Sequence, residues 1–193
     1  MILKKKDKKT TLPSYLNPDS DLSSTDLPPP PGVLRDLLNL GIKIVVIVLA
    51  FALIFSFAYG LERNTDPDMF PMVKDGDLLL FYRLDKNYDI GDLVLLDFNG
   101  KHEVRRVVAK AEDTIDITKS GLMINGMLQQ EPNIYQKTER YANEIQFPVT
   151  LQKDQIFVLG DQRENATDSR VYGPVNTKDT LGTVITFIRR RNL

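Results

Sequence analysis

The feature that most constrains this chain is an uncharged, apolar segment at residues 44–61. Its 18 residues would cover about 27 Å as an α-helix, close to the thickness of the hydrocarbon core of a bilayer. Lys43 and Arg63 flank the segment, where their side chains can extend to the lipid headgroups. The alternatives are a buried core helix, which seldom lacks a polar face, and a cleaved signal peptide, which would follow a shorter leader. We therefore predict one retained transmembrane anchor within residues 33–62.

The charges on either side of this anchor predict its orientation. Seven Lys or Arg and five Asp precede residue 44, whereas 18 basic and 21 acidic residues follow residue 61. Because flanks that carry more basic residues stay in the cytoplasm, we expect a cytoplasmic N-terminus. The prediction is a single-pass plasma membrane protein whose residues 63–193 form an extracytoplasmic domain.

Residues 1–32 form a basic and proline-rich tail. Six of the eleven prolines lie there, four of them consecutive, among Ser, Thr and Asp. Such a segment buries too little apolar surface to fold alone, so we predict a disordered cytoplasmic tether. A proline-rich ligand for a cytoplasmic partner is the alternative interpretation.

Composition excludes several kinds of site. The chain has no cysteine and one histidine, so disulfides, thiol nucleophiles, Cys-based zinc sites and multi-His metal sites are excluded. His102 lies beside a predicted turn, so we expect a solvated side chain rather than a catalytic one. The formal net charge of −1 does not favour nucleic-acid binding. We predict no metal and no cofactor.

The residues after the anchor predict a mostly β, antiparallel domain. Short apolar runs at residues 77–82 and 92–98 follow turn residues, and residues 155–159 are a buried-strand candidate that ends at a glycine. Residues 114–118 alternate between apolar and polar side chains. Asn-Gly pairs at 99–100 and 125–126 suit tight hairpin turns. No window after residue 61 has helical periodicity. Residues from about 119 to 152 are expected to form hairpins or a small cap.

Side-chain chemistry alone does not identify a reaction in this domain. Only Ser120 and Ser169 remain as serines after the membrane segment, and the carboxylates have no spacing typical of a metal site. Ser120 precedes a glycine in a predicted hairpin turn, where turn formation explains it. The residues by themselves therefore indicate a membrane-tethered β domain and no more.

Three stretches of the sequence resemble the signature boxes of the type I signal peptidase family. The first box, residues 68–72 (Asp-Met-Phe-Pro-Met), is similar to Ser-Met-x-Pro-Thr. The second box, residues 103–109 (Glu-Val-Arg-Arg-Val-Val-Ala), is similar to Tyr-Val-Lys-Arg-Val-Ile-Gly. The third box, residues 160–170 (Gly-Asp-Gln-Arg-Glu-Asn-Ala-Thr-Asp-Ser-Arg), resembles Gly-Asp-Asn-Arg-x-x-Ser-x-Asp-Ser-Arg. The residues that match the family boxes or follow them as in the family are Met69, Pro71, Arg106, Asp113, Gly160, Asp161, Arg163, Asp168, Ser169 and Arg170.

The resemblance implies a membrane-anchored serine endopeptidase with a signal peptidase-like β domain. In that family the serine of the first box is the nucleophile, a lysine of the second box is the general base, and a serine of the third box orients the lysine. The corresponding positions here are Asp68, Arg105 and Ala166. All three chemical groups are replaced. Ser169 and Arg170 are expected to be scaffold residues that brace the turns around the site.

These replacements remove the parts that a Ser/Lys mechanism needs. Arginine keeps its proton in proteins, and a carboxylate is a poor nucleophile toward an amide. Lys110 is expected on the opposite face of the strand from Arg105, and Lys101 lies about 13 Å along the strand. We predict an ion pair between Asp68 and Arg105, with bidentate geometry as one option. The alternative is two independent solvated charges.

Two functions remain as hypotheses. The favoured one is a non-catalytic signal peptidase-like protein that binds protein clients. It resembles the dyad-lacking proteins of Gram-positive pilus systems, which implies a pilin or a sortase as partner. The alternative is a divergent, active signal peptidase that cleaves signal peptides from secreted preproteins.

Overall fold

The computed structural model describes residues 32–98, 100–141 and 145–189. The predicted tail, apart from Gly32, and Asn99 of the predicted 99–100 turn lie outside these residues. The chain divides into two compact units, residues 1–48 and residues 49–193, and the boundary lies within one long helix.

That helix, α1 (Val33–Ala58), has 26 residues and is apolar and long enough to cross a membrane. It ends before the predicted segment does, because residues 59–61 belong to the first β-strand rather than to the helix. Gly60 is opposite Phe81 in this strand pairing. A Cβ atom at this position would lie 2.2 Å from a ring carbon of Phe81, so a larger residue would require the ring to shift.

The domain after this helix is antiparallel β, as predicted. Within the described residues its strands are β1 (Tyr59–Arg63), β2 (Leu78–Tyr82), β3 (Leu93–Phe98), β4 (Lys101–Lys110), β5 (Thr114–Thr118), β6 (Gly121–Ile124), β7 (Met127–Leu128), β8 (Val149–Thr150), β9 (Gln155–Leu159), β10 (Val175–Asn176) and β11 (Thr180–Ile188). A short helix, α2 (Ser169–Tyr172), and a 3₁₀ turn (Thr177–Asp179) precede β10 and β11 respectively. Every strand pairing is antiparallel.

The strands form a seven-stranded sheet in the order β1-β2-β11-β3-β4-β9-β10. Both faces of this sheet are covered, which explains the continuous apolar run of β3. Leu93 and Leu95 belong to one core cluster, and Val94 and Leu96 belong to the cluster on the other face. The sheet therefore provides a rigid base for side chains that project from β4, the strand beside the central β3.

A second, four-stranded sheet has the order β7-β6-β5-β8. It includes β5, so it begins before the 119–152 segment for which a cap was predicted. The reason is the pairing of β5 with both β6 and β8, which buries Ile115 and Ile117. Their cluster also contains Phe157 and Leu159 of β9, so the two sheets share a core.

Candidate functional site

The second box lies on β4, and the register of this strand determines where its charges point. Glu103 pairs with Leu96 and Arg105 pairs with Val94, so all four side chains are on one face of the sheet. Glu103 and Arg105 are consequently neighbours on that face. Both are buried, and the Arg105 side chain is fully inaccessible to solvent.

The first box lies in the loop that follows β1. Asn64 shapes this loop, since its side-chain amide donates to the carbonyl oxygens of Asp66 (2.7 Å) and Lys74 (3.0 Å). The backbone N–H of Asn64 also donates to the Asp77 carbonyl (2.8 Å). This folding of the loop places the carboxylates of Asp66 and Asp68 at the guanidinium of Arg105.

Arg105 is bound by three carboxylates. Its Nη1 donates to Asp66 Oδ2 at 2.8 Å, while its Nη2 donates to Asp68 Oδ2 at 2.8 Å and to Glu103 Oε2 at 3.0 Å. The predicted Asp68–Arg105 ion pair is therefore present. The option of a bidentate contact was wrong, because the guanidinium is shared among the three acids and donates to Asp68 through one nitrogen. We call Asp66, Asp68, Glu103 and Arg105 the charge cluster.

The third box closes over the charge cluster. The backbone N–H of Thr167 donates to Asp68 Oδ2 (2.9 Å), and Arg105 Nε donates to the Thr167 carbonyl (2.8 Å). Ala166 is buried against Gly160, where an added Cβ would lie 2.3 Å from the Ala166 methyl group. The structure thus brings together the positions predicted for the nucleophile, the general base and the orienting serine. Their side chains are a carboxylate, a guanidinium and a methyl group.

Burial and the shared guanidinium perturb the acids unequally. Burial alone would raise the pKa of Asp66, but attraction to Arg105 and the hydrogen bonds it accepts hold that pKa below its ordinary value. Burial raises the pKa of Asp68, and the Asp66 charge adds to the rise, against the opposing effect of Arg105. Burial disfavours the charged Arg105, yet its carboxylates raise its pKa. Arg105 therefore stays protonated.

A nearby phenol does not supply a base either. Tyr172, at the end of α2, has a buried hydroxyl group. Burial raises the pKa of Tyr172, and the charge of Arg105 only partly opposes this rise. The phenol is therefore neutral at physiological pH and cannot accept a proton.

The other residues of the third box hold loops together. Asp168 accepts Nε (2.9 Å) and Nη2 (2.8 Å) of Arg170 and the N–H of Gly160 (3.0 Å). The Ser169 hydroxyl accepts the backbone N–H of Val158 at 3.0 Å and is fully buried. These contacts are those of a scaffold rather than of a nucleophile.

Arg163, Arg106 and Asp161 are also in structural ion pairs. Arg163 contacts Glu131 (2.7 Å) and donates to the Gly160 carbonyl (2.8 Å), which joins the segment after β7 to the third box. Arg106 binds Asp161 through Nε (2.7 Å) and Nη2 (2.6 Å). This bidentate contact links β4 to the start of the third box.

The remaining family-box residues lie apart from the charge cluster. Met69 is buried in the core with Leu79, and Pro71 is exposed. Asp113 accepts the Asn125 side chain (2.7 Å) beside the second sheet. His102 is on the opposite face of β4 from Arg105 by strand parity and lies 3.2 Å from Glu62.

Sequence reasoning missed Asp66 and Glu103. Glu103 had a usable signal, because residues two apart on a predicted strand share a face. Asp66 lies in an irregular loop without such a periodicity. Among the residues that the structure describes, no group of three or more His, Cys, Asp or Glu is arranged to hold a metal ion.

Comparison with known proteins identifies the family of this chain. The family model described as signal peptidase, peptidase S26, matches residues 37–188. The chain belongs to this family. It is 30% identical to signal peptidase I P of Bacillus subtilis subsp. natto over 158 residues, which cover 75% of this chain and 84% of that protein. It is 32% identical to signal peptidase I T of Bacillus subtilis over 148 residues, covering 69% and 75% respectively.

A solved structure is also similar to part of this signal peptidase family member. It is a signal peptidase I from Enterococcus faecalis, 23% identical, with a TM-score of 0.43. The match covers 52% of this chain and 97% of that chain.

Proposed function

We propose that this signal peptidase family member does not hydrolyse peptide bonds and that it holds protein clients at the outer face of the membrane. One observation carries the proposal. The position of the general base is a fully buried guanidinium that three carboxylates keep charged. A charged guanidinium cannot accept a proton, and residue 68 has no hydroxyl group to give one.

The proposed client-binding role rests on the part of the family framework that remains. The third box and the Arg106–Asp161 pair keep contacts that hold strands and loops in place. A domain whose framework persists without its reactive groups can be retained for binding. By resemblance to dyad-lacking proteins of pilus systems, the proposed client is a pilin or a sortase, met outside the membrane by a domain anchored through α1.

An active signal peptidase is the second candidate, since the relatives named above are signal peptidases. Such activity would need another hydroxyl and another amine. Lys86 Nζ lies 3.1 Å from Thr180 Oγ1, and burial lowers the pKa of Lys86. However, Thr180 is buried and its hydroxyl donates to the Thr177 carbonyl (2.6 Å), so the pair is engaged in the fold.

The test is a cleavage assay with the full chain in detergent micelles and a signal-peptide substrate that has an Ala-x-Ala cleavage site. We expect no cleavage by the natural protein or by its Lys86→Met variant. Cleavage by the natural protein that Lys86→Met abolishes would establish the second candidate. Cleavage that survives this variant would also contradict the proposal.

The client is tested separately. The full chain is immobilised and exposed to purified pilin and sortase ectodomains from the same organism, with a secreted protein that lacks a sortase signal as the control. We expect saturable binding of a pilin or a sortase and none of the control. Equal binding of all three, or of none, would contradict the pilus role and leave the non-catalytic assignment to the cleavage assay.

A further inference from the structure

We infer that Asp66 occupies the position at which a peptide carbonyl would be activated, so that this chain has lost oxyanion stabilisation as well as its nucleophile and base. The inference rests on the proposed function and concerns the same site. Its basis is a contact within the loop of the first box: the backbone N–H of Asp68 donates to Asp66 Oδ1 at 3.0 Å.

The N–H of residue 68 matters because of its place in the chain. In serine-type acyl transfer, the backbone N–H of the nucleophilic residue is commonly one of the donors that bind the developing oxyanion. Residue 68 is the nucleophile position in this chain by its match to the first box. The donor that a substrate carbonyl would need is therefore already used by a carboxylate.

Asp66 is held firmly in this position. Its side chain is 2% exposed, and its second oxygen, Oδ2, accepts Arg105 Nη1 at 2.8 Å. Asn64 binds the Asp66 backbone on both sides, donating to its carbonyl (2.7 Å) and accepting its N–H (3.3 Å). The carboxylate cannot rotate away from the residue 68 N–H without breaking the buried contact to Arg105.

The charge of Asp66 adds to the effect of its position. Attraction to Arg105 keeps this carboxylate ionised at neutral pH. A tetrahedral intermediate would place a negative oxygen beside a negative carboxylate of low mobility, in a site with little water to screen the repulsion. Asp66 thus removes a donor and also opposes the charge that the donor would stabilise.

A side chain that accepts the N–H two residues ahead is also a common way to stabilise a turn. This structural role and the proposed one share the observed contact. They differ in the consequence of replacing Asp66. Only the proposed role predicts that a chain with restored catalytic groups becomes faster.

The first test uses the variant Asp68→Ser/Arg105→Lys/Ala166→Ser, to which Asp66→Ser is then added. We expect Asp66→Ser to raise kcat/KM for the signal-peptide substrate about 10²–10³-fold, the range typical of one oxyanion donor. Asp77→Ser is the matched control. Asp77 is another buried aspartate that accepts a loop N–H, from Lys74 at 2.9 Å, and it is outside the charge cluster. Added to the same background, it should give no gain.

The pH profile separates this effect from an indirect one. Asp66 would also raise the pKa of the amine introduced by Arg105→Lys, and this effect disappears at a pH high enough to deprotonate the amine. We expect the gain from Asp66→Ser to persist across the profile. A gain confined to low pH, or no gain over a background that does cleave, would overturn the inference.

A second measurement does not depend on cleavage. Hydrogen exchange of the Asp68 amide is followed by NMR in the ¹⁵N-aspartate-labelled full chain, without any change at residues 68, 105 or 166. We expect Asp66→Ser to speed this exchange at least about tenfold, Asp66→Asn to keep part of the protection, and Asp77→Ser to leave it unchanged. Unchanged exchange in Asp66→Ser would overturn the inference. Faster exchange in Asp66→Ser would show that the contact holds in solution, and the gain in kcat/KM then decides between the proposed role and turn stabilisation. A background variant that stays inactive even with Asp66→Ser added would overturn the inference. Cleavage by the natural protein would contradict the proposed function, a result distinct from unchanged exchange or an absent gain.

Discussion

Two buried arginines of this domain, Arg105 and Arg170, differ in the number of carboxylates around them. Arg170 has one carboxylate partner, Asp168, which it binds through two nitrogens. Arg105 has three carboxylate partners and binds each through a single nitrogen contact. Both guanidinium groups are almost inaccessible to solvent. The Arg170 pair is balanced in charge, whereas the Arg105 cluster has an excess of negative charge in a place with little water.

The difference separates the family-box residues that match the boxes from the two whose chemical groups differ from them. Arg170 and Asp168 are family-box residues whose contacts fix the turn before α2. Arg105 and Asp68 are at the positions where, by resemblance, we expect the family's amine and hydroxyl. Under the proposed function, the framework of the domain remains while these positions hold an ion-pair cluster.

The largest expected effect is that of Arg105→Met. Removing the guanidinium leaves the buried Asp66 and Glu103 and the partly buried Asp68 without a common cation, which should lower the free energy of unfolding by about 3–5 kcal/mol at neutral pH. Chemical denaturation of the full chain in micelles, followed by tyrosine fluorescence, measures the loss. The loss should shrink as pH falls, because the acids can then take up protons. A pH-independent loss below about 1 kcal/mol would contradict the importance of the cluster.

Arg170→Met should have a smaller effect. Asp168 would lose its cation but keep the N–H groups of Gly160 and of residue 170 as donors. We expect a loss of about 2–3 kcal/mol, with a weaker dependence on pH than for Arg105→Met, since one acid rather than three is left unpaired. Equal pH dependence in the two variants would remove the distinction between the balanced and the unbalanced arginine.

Much of the fold could be predicted from the sequence, because local signals and tertiary pairing agree. Turn residues and apolar runs marked β2, β3 and β9 to within a residue or two. The end of α1 could not be predicted in this way. Residues 59–61 are uncharged like the helix before them, and only their pairing with β2, in which Gly60 is opposite Phe81, shows that they form a strand.

At the site, the sequence predicted one ion pair but not the cluster of acids around it. The Asp68–Arg105 pair could be predicted from the box positions. The sharing of Arg105 with Asp66 depends on how Asn64 folds a loop, through hydrogen bonds that no periodicity encodes. Strand parity could have placed Glu103 on the same face as Arg105. Its contact with Arg105 matters for the site because that face of β4 is buried.

Within the charge cluster, Asp66→Asn should destabilise more than Asp68→Asn. The pKa of Asp66 is lowered by folding, so its contribution is present above its ordinary pKa of 3.8 and is lost as pH falls through the lower folded value. We expect Asp66→Asn to cost about 2 kcal/mol at pH 7. The pKa of Asp68 is raised, so its protonated form stabilises the fold at low pH and this contribution is lost as pH rises through the folded value. Asp68→Asn should therefore change stability by less than about 1 kcal/mol at pH 7.

Denaturation titrations of these two variants from pH 3 to pH 8 check both the order and the sign. The cost of Asp66→Asn should shrink below about pH 4. Asp68→Asn should become more favourable, relative to the natural chain, as pH rises. The reverse order at neutral pH would mean that Asp68 rather than Asp66 is the principal partner of Arg105.

Lys101→Ala should have the smallest effect. It tests whether the ion pair of Lys101 with Glu103 adds to the stability of the charge cluster. Lys101 Nζ lies 3.3 Å from Glu103 Oε1, but the lysine side chain is 57% exposed. Exposed ion pairs contribute little and are screened by salt, so we expect a loss below about 0.5 kcal/mol that disappears at high ionic strength. Denaturation in low and high salt measures it, with Lys110→Ala, which removes the exposed pair to Asp89, as the matched control. A loss clearly larger than in the control, and resistant to salt, would mean that Lys101 is part of the charge cluster and offsets some of its excess negative charge.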